Sequence, residues 1–294
     1  MNETNSYYFE YFFSDLIDEM ADEKQTTPNP ADIVTHANSE IALKADKGEN
    51  VKLESFKVID FTSKGDNYAS FVTSIRVEYK QEGSEEILED SYIAKLNPLR
   101  ESEAWEECTN GFFVHEGEFI CKIVPKFNEL LNSFNERRLR IPICHHASYD
   151  SRKEILILED LREQGFKMVD RRKGLDFAHI GLVIEELARM HASSQIVEKR
   201  SGEELDTTFP FLAEDLFDEN SSVMKVFEAM IVSQFEVSLK MLQEIGNYDT
   251  EIELLRKFQR NTTPIYMEQT AKPKCPKFKT IIHGDCWSNN FLFK

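Results

Sequence analysis

The hydrophobic residues change period near Pro98, and this change limits the possible folds more than any other feature of the chain. In "FVTSIRVEYK" (Phe71–Lys80), Phe71, Thr73, Ile75, Val77 and Tyr79 recur at every second position, the period at which a strand turns one row of side chains to one face. "VKLESFKVIDF" (Val51–Phe61) alternates at Val51 and Leu53 and changes phase near Phe56, which predicts a strand with an irregularity. Between them "TSKGDNYAS" (Thr62–Ser70) reads as a turn of Ser, Gly, Asp and Asn. Gln81–Glu86, with Gly83, reads as a hairpin connection, and "LEDSYIAKLNP" resumes the sheet. After Pro98 the spacing becomes three and four, at Phe112, Phe113, Phe119, Ile120, Ile123 and Val124. This predicts a helix that Pro125 ends.

The second half keeps the helical period. "EILILEDL" (Glu154–Leu161) is a brief return to strand. "LDFAHIGLVIEELARMHASS" then places Phe177, Ile180, Ile184, Leu187 and His191 along one helix face. The next helix is capped by Ser221 and Ser222 and closes at Gly246, and Thr250 with Glu253 has the spacing of a capping box. Near the start, an apolar cluster at Tyr7–Met20 predicts a short helix, and "TTPNPAD" (Thr26–Asp32) a loop. Sheet first and helices second, with the switch near Asp160, is the order of a two-lobed α+β protein with a cleft between its lobes. The expected divisions are 1–50, an N-terminal extension of helix and loop; 51–158, a sheet lobe; and 159–294, a connector and a helical lobe. A length of 294 residues suits two such parts at about 100–200 residues each.

Charge and cysteine usage exclude several functions. Asp and Glu number 53 against 35 Lys and Arg, a net charge of -18, which repels a phosphate backbone, so a nucleic-acid partner is not expected. No apolar run reaches the roughly 18 residues of a membrane span, and "MNETNSYYFE" lacks the basic flank and apolar stretch of a signal peptide. A soluble, cytosolic protein with no membrane partner is expected. The five cysteines, Cys108, Cys121, Cys144, Cys275 and Cys286, form no C-x-x-C pair, so neither a disulfide framework nor a zinc site is signalled. Cys286 has no companion that marks it as a nucleophile.

Three places carry residues suited to phosphoryl chemistry. The turn "KGDNYAS" contains Gly65, Asp66, Asn67, Tyr68 and Ser70. Such a hairpin tip can present backbone N–H groups to a phosphate, although one glycine is also an ordinary turn. Lys95 lies mid-strand in "YIAKLNP" and needs a carboxylate to hold it; Glu116 and Glu118 on the following helix are both candidates. The connector Glu159, Asp160 and Leu161 can offer backbone groups to an adenine edge. The last place is the most specific. In "IIHGDCWSNN" a β-prone run meets Gly284, which places Asp285 at a loop tip, and Asn290 follows five residues later. That is the spacing of the kinase catalytic Asp, which accepts a hydroxyl proton, and the Asn that ligates Mg²⁺, with His283 two residues ahead as in H-R-D.

Together "KGDNYAS", "LILEDLREQGF", "LARMHASS" and "HGDCWSNNFLF" resemble the ecdysteroid kinase-like, or CHK kinase-like, family of insects, relatives of choline kinases and aminoglycoside phosphotransferases. The resemblance runs from about Phe56 to the end. It implies a two-lobed protein kinase-like fold that uses ATP and Mg²⁺ to phosphorylate a hydroxyl of a small molecule, with an ecdysteroid-type sterol as the substrate it suggests. By this resemblance Gly65 to Ser70 cover the triphosphate, Lys95 contacts it and Glu116 pairs with Lys95. Glu159 to Leu161 form the interlobe hinge, Asp285 is the catalytic Asp and Asn290 a metal ligand, while His191 is a packed, hydrogen-bonded histidine. Family members continue into a strand ending in D-F-Q, whose Asp holds the metal. This sequence stops at Lys294, so the resemblance implies a helical lobe cut short inside the active site, with an incomplete metal site. A catalytically inactive binding protein is the rival reading. A protein kinase is disfavoured because no D-F-G or A-P-E follows.

Overall fold

The period-two runs before Pro98 build an antiparallel sheet in a computed structural model that describes residues 28–61, 69–213, 221–262, 264–265 and 279–294. Strands β1 (Val51–Ile59), β2 (Phe71–Gln81), β3 (Leu88–Leu96), β4 (Cys144–Ser148) and β5 (Ile155–Glu159) lie in the order β1-β2-β3-β5-β4, with every neighbouring pair antiparallel. The irregularity expected in β1 is a register shift between Leu53 and Ser55. In β2 the alternating set Thr73, Ile75, Val77 and Tyr79 is buried, as period two requires.

One face of the sheet is closed by helix α1 (His36–Lys47). Its N-terminus is a reciprocal cap: Asn38 N donates to Thr35 Oγ1 at 3.3 Å and Thr35 N donates to Asn38 Oδ1 at 2.8 Å. Ala42 and Leu43 are fully buried with Ile75, Val77, Ala94, Leu96 and Ile157. Each such large aliphatic side chain contributes about 1.5–3 kcal/mol on burial. Composition alone hid this helix, because most of its residues are polar.

Helix α2 (Glu103–Glu118) runs through a π-helical turn, Phe119–Ile123, into α3 (Val124–Ser133). Pro125 therefore does not end the helix as expected. The wide turn resets the hydrogen-bond register, and Pro125 falls in the first turn of α3, where its missing N–H costs nothing. Phe113 of α2 packs on Leu156 and Leu158 of β5. Farther on, Ile123, Phe127 and Leu131 meet Met190, Phe209 and Phe211 in a separate core, with Ile281 against it. Met190 belongs to the long helix α4 (Phe177–Ser201), capped by Asp176, whose carboxylate accepts from His179 N. A short helix α5 (Leu205–Thr208) follows. Strands β6 (Lys167–Met168) and β7 (Leu292–Phe293) pair antiparallel, Met168 with Leu292 and Lys167 with Phe293.

The chain divides into two compact units. One lies within Pro28–Arg100, Thr109–Glu214 and Phe278–Lys294, and holds the sheet, the cores above and the C-terminal segment; the other includes helices α6 (Ser222–Ile245) and α7 (Asp249–Gln259). Several expectations are corrected. Phe177, Ile180 and Ile184 are exposed, and the face of α4 that packs is Leu187, Met190, Ser193, Ser194 and Val197. Ser221 caps α6 by accepting from Met224 N, but Ser222 is the first helical residue. Thr250 and Glu253 form no capping box, because the helix begins at Asp249 after Tyr248 and uses acidic Asp249 and Glu251 in its first turn. The cluster Tyr7–Met20 lies outside the described residues. Among the described residues no helix is long and apolar enough to cross a membrane.

Candidate active site

Lys95 sits on β3, a strand paired on both sides, opposite Val72 of β2 and Leu156 of β5. Its backbone is therefore fixed, and its ammonium reaches back to α2. Nζ donates to Glu116 Oε1 at 2.7 Å and to Oε2 at 2.6 Å. A partly exposed pair of this kind contributes roughly 0–1 kcal/mol to stability. Its value lies in holding a cation at one point beside the sheet. Glu118, the other candidate, is two residues on and so faces another side of the helix, where it pairs with Lys122.

The C-terminal segment is hung from α4. Ser194 Oγ and Thr280 Oγ1 lie 2.7 Å apart, and both reach the carbonyl oxygen of His191, at 2.8 and 3.1 Å. Ile281 N donates to Ser194 Oγ at 3.3 Å, and Gln195 Nε2 donates to Lys279 O. This network explains Ser194 in "LARMHASS", which the sequence reading passed over in favour of His191. Thr280–Ile282 is not a strand but irregular backbone held by these bonds. Gly284 then takes φ +81°, a left-handed conformation that other residues avoid, and the chain turns.

Asp285 follows at an exposed loop position. Asn290 Nδ2 donates to both Asp285 O and Asp285 Oδ2 at 2.8 Å. Asp285 N donates to His283 Nδ1 at 3.2 Å, so the other ring nitrogen carries that imidazole's proton when neutral. A single turn of 3₁₀ helix, Ser288–Asn290, returns Asn290 to Asp285 before β7 pairs with β6. Because both partners of Asn290 Nδ2 are acceptors, its Oδ1 and the second Asp285 oxygen are the atoms left for a cation or a hydroxyl. Asn290 Oδ1 would be the atom that meets Mg²⁺, and the ion would draw its other oxygen donors from phosphates and water. Among the described residues no group of three or more His, Cys, Asp and Glu side chains converges to hold a metal without such help.

At the connector, Asp160 is buried and accepts from Arg162 Nε at 2.8 Å, Arg162 Nη2 at 2.6 Å and Ser91 Oγ at 2.8 Å. Burial alone pushes its carboxyl up, but Arg162 and Ser91 outweigh this and hold it below the usual carboxylate range. Glu159 accepts from Ile143 N and Gln164 Nε2. Both carboxylates are engaged within the protein, and so are Glu159 N, which donates to Ile143 O, and the carbonyl oxygens of Asp160 and Leu161, which accept from Glu163 N and from Gln164 N and Phe166 N. Arg162, absent from the sequence reading, lies with its Cζ 3.9 Å from the ring centroid of Phe61. Ser70 is half-buried just ahead of β2. Gly65, Asp66, Asn67 and Tyr68 lie outside the described residues.

Two further findings concern groups not assigned by sequence. Glu154, fully buried, accepts from Asn97 Nδ2 at 2.7 Å and Asn110 Nδ2 at 2.9 Å, tying β3 and α2 to the start of β5. The scattered Cys121 and Cys144 are hydrogen-bonded to each other. Cys286 is exposed, and burial of its sulfur and the nearby Asp285 carboxylate push its thiol up, against a thiolate role.

A β-lysine held by a helical glutamate, with an Asp–Asn pair five residues apart on a loop, defines an α+β protein of the kinase-like class. The family model described as the ecdysteroid kinase-like family matches residues 64–294, and the chain belongs to that family. No curated protein and no solved structure matches the chain.

Proposed function

We propose that this protein is an ATP-dependent phosphotransferase that moves the γ-phosphoryl group to a hydroxyl of a small molecule, an ecdysteroid-type sterol being the acceptor its family suggests. The observation that carries the reading is the Lys95–Glu116 pair, since an ion pair worth so little to stability serves to place an ammonium beside phosphate oxygens. The turn Gly65 to Ser70 would cover the triphosphate, and backbone groups of Glu159 to Leu161 would meet the base. Asn290 Oδ1 would hold Mg²⁺, which would neutralise charge on the phosphates. Asp285 accepts the acceptor's hydroxyl proton as oxygen attacks the γ-phosphorus, and ADP leaves with the bridging electron pair. Asn290 keeps that carboxylate oriented through the bond to Oδ2.

The test is incubation of the protein with ATP, Mg²⁺ and an ecdysteroid, with phosphorylated product measured by mass spectrometry. Product should form, and Asp285→Asn should lower kcat by about 10²–10⁴ while leaving nucleotide affinity within about threefold. A protein that binds no nucleotide, or an Asp285→Asn variant with full activity, would refute the reading.

A further inference from the structure

Gly117 stands between Glu116 and Glu118 of α2 and is buried. A Cβ at that position would collide with the hydroxyl of Tyr149, lie 2.8 Å from its Cε1 and 2.9 Å from Leu156 Cδ2. Real Cβ contacts are not that short, so the helix backbone rests directly on the Tyr149 ring. Tyr149 follows β4 and packs in the core formed by Phe113, Leu156 and Leu158. Its carbonyl accepts from Asn110 Nδ2, one amide bridging Tyr149 and Glu154. Its hydroxyl is hydrogen-bonded to Glu118.

We infer that Tyr149 is a positioning residue for the phosphate-contacting lysine: it sets the height and rotation of α2 over the sheet, and with them the point at which Glu116 meets Lys95. The geometry leaves little slack. Glu116, Gly117 and Glu118 are consecutive, so whatever fixes the contact of Gly117 fixes the direction of both neighbours. The adjoining π-helical turn, Phe119–Ile123, marks the place where the helix departs from regular winding as it passes this contact. A close-packed contact transmits a displacement of a few tenths of an ångström rather than absorbing it. Shifting α2 away from the sheet therefore lengthens the Lys95–Glu116 bonds first. The role in nucleotide binding rests on the function proposed above; the role in holding Lys95 does not.

The experiment measures how fast an amine-acylating ester labels Lys95, by peptide mass spectrometry, with exposed Lys52 as the internal reference. Glu116→Gln sets the rate of an unpaired Lys95. Gly117→Ala and Tyr149→Ala, each checked for cooperative melting, should raise Lys95 labelling severalfold toward that rate with Lys52 unchanged. The double variant Gly117→Ala/Tyr149→Ala, in which the ring the new methyl would strike is gone and only the movable end of Leu156 stays close, should label more slowly than either single variant, a coupling that simple loss of structure does not produce. Lys95 labelled at the wild-type rate in a folded single variant, or a double variant as fast as the faster single, overturns the inference. If one single variant does not fold, the other and the double variant still decide. ADP titration of the same proteins should show affinity falling about tenfold in the single variants. If the wild-type protein binds no ADP, the functional reading fails while the labelling result stands on its own.

Discussion

Lys95 and Glu116 are 21 positions apart in sequence, and only their residue types and a family pattern join them before the fold is known. The two cysteines of the same region gave no such signal. The contact with Cys144, whose thiol donates to the carbonyl oxygen of His146 at 3.2 Å, comes first among the causes that pull the Cys121 thiol down, against the opposing effects of its partial burial and Glu118. Cys286, also exposed, is pushed up. Alkylation with iodoacetamide at neutral pH should therefore label Cys121 several times faster than Cys286, read by mass spectrometry of the two peptides. Substituting Cys144→Ala should remove most of the difference. Equal rates in the wild-type protein would contradict the contact between the two thiols.

At the scale of elements, the C-terminal segment depends on α4 for its position. Ser194 supplies the hydroxyl that Thr280 and Ile281 N share, and a lost buried hydrogen bond of this kind costs about 1–3 kcal/mol. Ser194→Ala should release the segment locally. Amide exchange at Ile281 and Asp285 should quicken by about tenfold or more, while amides of β3 exchange as before. Unchanged protection at Ile281 would show that the packing of Ile281 against Met190 and its neighbours suffices. The π-helical turn teaches a related lesson. A proline after a run spaced at three and four reads as a stop, and it is one only if the hydrogen-bond register is unbroken. Here a five-residue wide turn makes Pro125 the start of the next helix.

Taken whole, the molecule carries carboxylates whose acidity the fold has increased. Burial pushes Asp46 and Asp160 up, but Lys47 and Tyr92 outweigh it at the first and Arg162 and Ser91 at the second. Lys279 draws down Asp206. All three therefore sit below the ordinary value of about 3.9. Groups depressed in the folded state add stability that is present above the unfolded value and is lost as pH falls through the folded value. The urea midpoint should hold between about pH 7 and 5 and fall below about pH 4. Asp160→Asn, which leaves Arg162 and Ser91 without their carboxylate, should cost more at pH 7 than at pH 3. A cost that does not change with pH would rule out the assigned ionisation.

The antiparallel sheet, its irregular first strand, the candidate lysine and the Asp–Asn loop were all legible in the chain, because period two, turn chemistry and a five-residue spacing are local properties that neighbours in sequence carry among themselves. Why Asp160 is buried, what Ser194 is for and where α4 turns its apolar side were decided by tertiary structure. Each depends on which distant surface arrives opposite, and close packing admits one partner where the sequence offers several.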